Sequence, residues 1–233
     1  MFSYISAFTV FALYMSVGVY HVWRMGGRPR SSRHVLVSFG AIWLTLGTAY
    51  LWIGLSQLFY ALGDEALSRE LFHLNYCNAL AVIVPYYYFA SYLLWGDRRL
   101  SRVALAAGVM VLAGGIGLAF TTPVDLRVFG WGSTWDFLSK RVIIYYQLLG
   151  ALPVGASLAA FLLYLYPRSL SPRARRRLLL TTLSFGLLLA GWAILVTRSS
   201  PALFISRLLA LASGVTAHIA YFPPGPPRGG SGG

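Results

Sequence analysis

Polar and aromatic side chains recur along one face of the third apolar segment of the chain. A helix with about 100° between successive residues gathers within about 100° of arc Glu70, His73, Cys77, Tyr88 and Ser91, with Tyr76, Tyr87 and Tyr92 beside them. A carboxylate, an imidazole, a thiol and several phenols on one face could line a binding pocket. The same groups could instead tie helices together, at about 0.6–2 kcal/mol for each hydrogen bond within a membrane. Both interpretations stay open.

The same segment carries three consecutive tyrosines, which cannot all face one way on a helix. Tyr86 falls on another side, together with Asn75, so it needs a partner of its own. Pro85 cannot donate a backbone hydrogen bond and is predicted to kink the helix. We therefore expect a central helix with contacts on several sides.

The last apolar segment contains an arginine at membrane depth. Arg207 and His218 are eleven residues apart, so they share one stripe of a helix, with Gly214 between them. A charge at that depth is costly unless it snorkels, pairs or faces water. The carboxylates at the same level are Glu70 and Asp136, which are the expected partners.

Two further arginines occupy the level of Arg207, namely Arg141 and Arg198. Three cations facing few carboxylates leave positive charge that would suit an anionic ligand or a lipid headgroup. The alternative for arginines near helix ends is that they snorkel to the interface. We predict a ligand-binding site formed by Glu70, His73, Tyr76, Tyr87, Tyr88, Arg141, Tyr145 and Arg207.

The histidines and the lysine give little support for a cofactor. His21 and His218 lie at the same end of the first and last segments, where neighbouring helices would offer them as axial haem ligands, and they make a weak zinc site. The only lysine, Lys140, is at one end of the fifth segment and not in the core of the last, where retinal would need it. The single Cys77 excludes an intramolecular disulfide and a cysteine-based zinc site. We expect no cofactor, no metal and a colourless protein.

Catalytic patterns are missing from the sequence. No paired carboxylates fall within the apolar segments, and no serine sits in a G-x-S-x-G motif. The glycine-rich stretch LAGGIGLAF (112–120) follows no strand, so it is not a dinucleotide-binding loop. Its small residues, and those of LPVGASLAA (152–160), predict close helix packing. We predict no catalytic residue and do not expect an enzyme.

The composition identifies the elements that must position these side chains. Of the 233 residues, 58% are hydrophobic and 11% are charged, whereas about a quarter are charged in a soluble domain. The fold class is therefore all-α and polytopic, and the first segment lacks the basic start of a signal peptide. Seven apolar segments are each long enough to cross a bilayer: 2–24, 34–62, 70–95, 101–121, 138–166, 175–198 and 201–222. We expect one transmembrane domain over 1–224 and a flexible tail over 225–233, ending in the linker-like GGSGG.

Arginine distribution predicts the orientation. The connections at 24–34, 96–102 and 166–177 are rich in arginine, whereas those at 63–70 and 121–140 hold few cations. The positive-inside rule then places the N-terminus outside and the C-terminus inside, in a membrane of the bacterial inner-membrane type. The net charge of +13 is explained by this topology and by anionic lipid, so the bilayer and not nucleic acid is the expected partner.

The connection at 121–140 is the only one on the predicted outer side that is large enough to fold. Its Trp131 and Trp135 could anchor the chain at the level of the lipid headgroups, which is the favoured interpretation. The alternative is a lid over an external pocket.

A cytoplasmic Ser-Pro-Arg turn leads into the sixth segment in SLSPRARRRLLLTTLSFGLLLAGW (169–192), and the last segment ends in HIAYFPP (218–224). The arrangement resembles the seven-helix membrane input domains of bacterial sensor histidine kinases. That resemblance implies sensing in the membrane and output through a cytoplasmic domain. This chain carries no phospho-acceptor helix and no ATP-binding motif, so no catalytic residue is transferred, and the output would lie on a removed domain or on a partner.

We therefore expect a sensor or receptor-like module that binds a lipophilic or anionic small molecule, or a lipid, between the third, fifth and seventh helices. A small transporter or channel is the first alternative, in which the polar residues would line a path. A structural subunit of a larger membrane complex is the second, with a partner subunit meeting the lone polar residues. A path should be polar through both leaflets, whereas the polar groups here concentrate in the outer half and at the inner rim, which favours a blind pocket.

Overall fold

The computed structural model describes residues 2–24, 30–130, 132–164, 171–195, 197 and 199–222. Within these ranges the chain forms nine α-helices and one β-hairpin. The helices are α1 (Phe2–Trp23), α2 (Arg30–Ala61), α3 (Glu65–Ala81), α4 (Ile83–Trp95), α5 (Arg98–Thr121), α6 (Lys140–Tyr146), α7 (Leu152–Tyr164), α8 (Pro172–Leu195) and α9 (Ser200–Tyr221). The strands are β1 (Val124–Phe129) and β2 (Gly132–Phe137), and a π-helical turn (Gln147–Ala151) joins α6 to α7.

Seven helical spans of the described chain are long and apolar enough to cross a membrane, which confirms the predicted number. They are Ser3–Trp23, Arg33–Ala61, Glu65–Trp95, Arg98–Thr121, Lys140–Leu163, Ala174–Leu195 and Ser200–Tyr221. The third begins five residues earlier than predicted, because the side chain of Asp64 accepts a hydrogen bond from the backbone N–H of Leu67 and caps the helix. The seven spans indicate a multi-pass membrane protein.

The spans pack as a ring in which successive spans are neighbours and the first, α1, contacts the last, α9. The third span, formed by α3 and α4, contacts its neighbours α2 and α5 and also α7 of the fifth span. This agrees with the expectation of a third helix that has contacts on several sides.

Prolines interrupt the helical hydrogen bonds of two spans. The third span breaks at Val82, three residues before Pro85, whose missing N–H leaves the carbonyl of Ala81 without its helical donor. In the fifth span Pro153 does the same to the carbonyl of Leu149, one turn earlier. The backbone N–H of Leu152 donates to the carbonyl of Gln147, five residues earlier rather than four, and this bond produces the π-helical turn.

Small residues allow the fourth span to approach its neighbours closely. A Cβ added at Gly115 would lie 2.5 Å from Cδ1 of Leu80 and 3.1 Å from Cε1 of Tyr145, and one added at Gly114 would lie 2.6 Å from the Tyr145 hydroxyl. That hydroxyl donates to the carbonyl of Val111 at 2.7 Å. Gly114 and Gly115 therefore serve close packing, as predicted, whereas a Cβ added at Gly117 would contact nothing within 4 Å among the described residues.

The middle of the bundle is filled by buried aromatic side chains. The rings of Trp43 and Phe185 stack with centroids 4.9 Å apart, and both lie among fully or almost fully buried residues. Next to them, the hydroxyl of Tyr14 in α1 donates to Ser213 of α9 at 2.8 Å. This packed layer closes the space below the end of the bundle that carries the hairpin.

The connection at 121–140 folds as an antiparallel hairpin, with Leu126 opposite Trp135 and Arg127 opposite Thr134. It packs on the ends of α1, α2 and α3. The indole N–H of Trp135 donates to Oγ of the buried Ser68 at 2.8 Å, and a Cβ added at Gly132 would lie 2.5 Å from Cβ of Ser3. We call this end of the bundle the hairpin end and the other the opposite end.

Candidate functional site

A cavity of about 230 Å³ lies beneath the hairpin, between the second, third, fifth, sixth and seventh spans. We call it the hairpin cavity. Seven of its lining side chains are aromatic: Tyr50, Phe72, Tyr76, Trp135, Phe137, Tyr146 and Trp192. The predicted pocket involved only the third, fifth and seventh helices, so the structure adds two spans and the hairpin.

Helical spacing explains why these residues share one cavity. On α2 the lining residues follow intervals of three and four: Leu46, Ala49, Tyr50, Ile53 and Gln57. On α3 the same intervals apply to Phe72, Asn75, Tyr76 and Ala79. Each helix therefore presents one stripe, and apolar residues of both stripes form the floor and walls.

Arg207 of α9 contributes a positive charge to the cavity wall. Its guanidinium carbon lies 5.8 Å from the ring centroid of Tyr50, in a cation–π contact. Such a contact contributes about 0.5–2 kcal/mol, depending on how dry the site is. No carboxylate among the described residues forms an ion pair with Arg207. Arg207 therefore lines the cavity without an ion-pair partner among the described residues.

The expected pairing of Arg207 with Glu70 or Asp136 is not formed. Nε of Arg127 and Oδ2 of Asp136 are 3.2 Å apart, and both side chains line the hairpin cavity. They are diagonal neighbours on one face of the hairpin, which brings them together more readily than residues on separate elements. Glu70 is exposed on α3 and does not line the cavity.

Gln57 adds a buried amide that the prediction missed. Its side chain is 4% exposed, and Oε1 has no hydrogen-bond partner among the described residues. A buried acceptor left unmatched costs about 1–3 kcal/mol. Asn75 and Gln147 also line the cavity, and Nε2 of Gln147 donates to the carbonyl of Trp192 at 2.8 Å. The sequence signal for these residues was an amide within an apolar segment, on the same helical face as an aromatic side chain.

Two of the eight predicted site residues, Tyr76 and Arg207, line the hairpin cavity. The Tyr76 hydroxyl donates to the carbonyl of Val142 at 3.3 Å, and its ring meets Phe137 edge-on with centroids 4.8 Å apart. Tyr76 is thus both a wall of the cavity and a tie between the third and fifth spans.

The other tyrosines of the third span lie too far along it. Tyr87 and Tyr88 are eleven and twelve residues beyond Tyr76, or about 16–18 Å along a helix. Tyr87 donates to the carbonyl of Leu149, and the ring of Tyr88 faces His34. The predicted stripe runs along the whole third span, so only its residues near the hairpin end can line the hairpin cavity.

Three more predicted residues occupy the surroundings of the cavity. His73 hydrogen-bonds the carbonyl of Arg69 and stacks on Phe120 with centroids 5.4 Å apart. Arg141 is exposed at the start of α6, and the Tyr145 hydroxyl is occupied by the fourth span. The structure does not bring these side chains into the cavity.

Tyr86 has the separate partner expected for it. It is 2% exposed, and its hydroxyl hydrogen-bonds Ser157 of α7. Together with Tyr76 and Tyr87 it makes three phenols of the third span that bond to the fifth. For Tyr86 and Tyr87 the tying interpretation describes the observed contacts.

The two histidines considered for haem lie on neighbouring helices at the opposite end. His218 hydrogen-bonds Oγ of Ser16 at 3.1 Å through Nδ1 and stacks on Phe222. His21 is buried edge-on against Tyr221, with centroids 4.4 Å apart. Across the described ranges, no three His, Cys, Asp or Glu side chains come together as a metal-binding group.

Several predictions fall outside the described residues: those for Arg198, Trp131 and the tail 225–233. Trp135 is described: its indole contacts Ser68 and it lines the hairpin cavity.

No protein-family model, curated protein or solved structure matches the chain. The chemistry of the hairpin cavity is therefore inferred from its own side chains. The lining holds two guanidiniums, one of which is paired with Asp136, together with neutral amides and seven aromatic side chains. Such a lining suits binding of a small anionic or lipophilic molecule.

Proposed function

We propose that this protein is a membrane-embedded sensor or receptor-like module that binds a small lipophilic or anionic molecule in the hairpin cavity. The observation that carries the proposal is Arg207, which faces the cavity over Tyr50 without a carboxylate partner among the described residues. A charge held in an apolar wall needs compensation, and a bound anion would supply it.

The position of the cavity favours a blind pocket over a transport path. Apart from Leu46, which lies at the middle of the second span, every helical lining residue is in the half of its span that is nearer the hairpin end. Beyond the cavity, toward the opposite end, stand the buried Trp43, Phe185 and Tyr86. These large side chains fill the bundle where a transport path would have to continue.

Charge asymmetry supports an outside hairpin end, with the C-terminus inside a membrane of the bacterial inner-membrane type. Five of the six acidic residues lie at the hairpin end: Asp64, Glu65, Glu70, Asp125 and Asp136. Only Asp97 lies at the opposite end, where the arginine-rich connections gather. The lidded cavity would then receive its ligand from the outer side.

The output of such a sensor would pass to a cytoplasmic signalling domain or to a partner membrane subunit at the opposite end. The likeness to sensor-kinase input domains supports this part of the proposal. A purely structural subunit would need no cavity with an uncompensated charge.

Ligand-dependent melting of the purified full chain in detergent tests the proposal. A panel of small carboxylates, sulfonates, phosphates and neutral lipophiles would be compared on the wild type and on Ala79→Phe, which fills the cavity from α3. A ligand at 100 times its Kd stabilises by about 2.7 kcal/mol, or about 5–10 °C for a chain of this size. We expect such a shift for at least one compound in the wild type and none in Ala79→Phe. Equal shifts in both proteins across the panel would refute binding in the cavity.

A liposome flux assay distinguishes the transporter. Uptake of the stabilising compound that is lost in Arg207→Gln would favour transport over sensing. We expect binding without uptake.

A further inference from the structure

We propose that the ligand of the hairpin cavity is a small aromatic monocarboxylate of about the size of benzoate, with its carboxylate on Arg207 and its ring among the aromatic side chains of the wall. This inference rests on the proposed function and narrows its ligand class. Size, shape of the wall and charge each contribute a separate argument.

The size of the cavity limits the ligand. The cavity has a volume of about 230 Å³. Typical sites for drug-sized ligands occupy about 300–1,000 Å³. This size favours a single ring with one carboxylate over a nucleotide or a phospholipid with its acyl chains.

The wall favours a flat ring over a flexible chain. Seven lining side chains are aromatic, and two of them, Tyr146 and Trp192, already meet edge-to-face with centroids 5.1 Å apart. A ligand ring can join such a group through offset or edge-to-face contacts, which add to the burial of its area. A rigid ring also loses less conformational entropy on binding than an alkyl chain of similar size.

The charges favour one negative group and no more. Arg207 offers a planar set of donors that matches a carboxylate. Asp136 and Arg127 of the same wall neutralise each other, so Arg207 leaves a net charge of about +1, which one carboxylate balances and a second would exceed. The buried Oε1 of Gln57, which has no partner among the described residues, is an acceptor, so a donor such as a ring hydroxyl would satisfy it and the carboxylate would not.

Fluorine NMR of the full chain in detergent tests this class directly, with 4-fluorobenzoate as the observed probe. Benzoate should displace the probe, and benzamide, its neutral analogue, should be at least about tenfold weaker, because it lacks the charge-assisted hydrogen bonds. Hexanoate should be at least about threefold weaker than benzoate, because it lacks the ring. Terephthalate, with its second carboxylate, should also be weaker than benzoate.

Variants separate the cavity from partition into detergent. Arg207→Gln should weaken binding of 4-fluorobenzoate at least about tenfold. The matched control Arg141→Gln removes an exposed arginine that does not line the cavity and should bind as the wild type does. Ala79→Phe should abolish binding. Melting curves of all three variants establish that they are folded.

The outcomes distinguish the ligand class from the proposed function. Hexanoate binding as tightly as benzoate, with both lost in Ala79→Phe, overturns the aromatic class and leaves an anion-binding cavity. Benzamide equal to benzoate overturns the role of the charge. Probe binding that is unchanged in folded Arg207→Gln and Ala79→Phe overturns the whole inference. The proposed function fails separately, if no compound of the melting panel distinguishes the wild type from Ala79→Phe.

Discussion

Replacing Tyr87 with phenylalanine should destabilise the protein through the carbonyl of Leu149. Pro153 has no N–H, so the helix cannot satisfy that carbonyl in the usual way. The Tyr87 hydroxyl, from the third span, donates to it. Within a bilayer no water is present to donate to this carbonyl, so the Tyr87 hydroxyl replaces the missing N–H donor.

The magnitude follows from interhelical hydrogen bonds measured in membranes. These average about 0.6 kcal/mol and reach about 1.7 kcal/mol. For a chain of this size, we expect Tyr87→Phe to lower the melting temperature by about 1–7 °C. Tyr88→Phe is the matched control, because that hydroxyl forms no hydrogen bond with a described residue, and it should change the melting temperature by less.

A double-mutant cycle with Pro153→Ala tests the stated cause. Alanine at 153 restores an N–H that can bond to the carbonyl of Leu149, so Tyr87→Phe should then cost little. The coupling free energy, from unfolding of all four proteins in detergent, should approach the full cost of Tyr87→Phe. An equal cost in both backgrounds would refute the idea that the hydroxyl replaces a donor lost to proline.

Three other predictions concern packing, the lid and topology. Gly115→Val should lower the free energy of unfolding by about 1–3 kcal/mol, because its side chain would overlap that of Leu80; unchanged melting would contradict the close packing of the fourth span. Trp135→Phe should cost about 0.5–1.5 kcal/mol by removing the bond to Ser68, and it should raise the dissociation rate of a cavity ligand; a ligand that leaves at the wild-type rate would argue against a lid. In a background without Cys77, a cysteine at 63 should react with an impermeant maleimide in intact cells and one at 174 should not; the reverse pattern would invert the topology.

The number of spans and their approximate ends could be predicted because each span is a long apolar segment bounded by polar residues. What the sequence alone could not fix was where each side chain meets another span. Pro153 predicts a missing hydrogen bond, for example, but not the π-helical turn or the phenol that compensates it. That pairing depends on how α4 packs beside the fifth span.

Only part of the candidate site could be predicted from the sequence. Tyr76 and Arg207 combine membrane depth with helical spacing, and both line the cavity. The lining residues Gln57 and Trp192 escaped notice, because a single polar or aromatic residue in an apolar segment is compatible with many environments. The folding of 124–137 into a hairpin over the cavity depends on its tertiary contacts, such as that of Trp135 with Ser68.

The absence of a carboxylate beside Arg207 among the described residues makes a further prediction about stability without ligand. Removing one partner of a buried ion pair costs about 3–5 kcal/mol, because the other charge is left uncompensated. Arg207→Gln breaks no such pair, and the loss of the contact with Tyr50, about 0.5–2 kcal/mol, is opposed by relief from burying a charge.

We therefore expect the ligand-free melting temperature of Arg207→Gln to equal or exceed that of the wild type. A cycle with Asp136→Asn should give a coupling free energy near zero, whereas Arg127→Gln and Asp136→Asn should couple by about 0.2–1 kcal/mol through their ion pair. Strong destabilisation by Arg207→Gln, recovered in part by Asp136→Asn, would mean that Arg207 is held by Asp136. The guanidinium would then have a structural role, and the charge available to an anionic ligand would be lost.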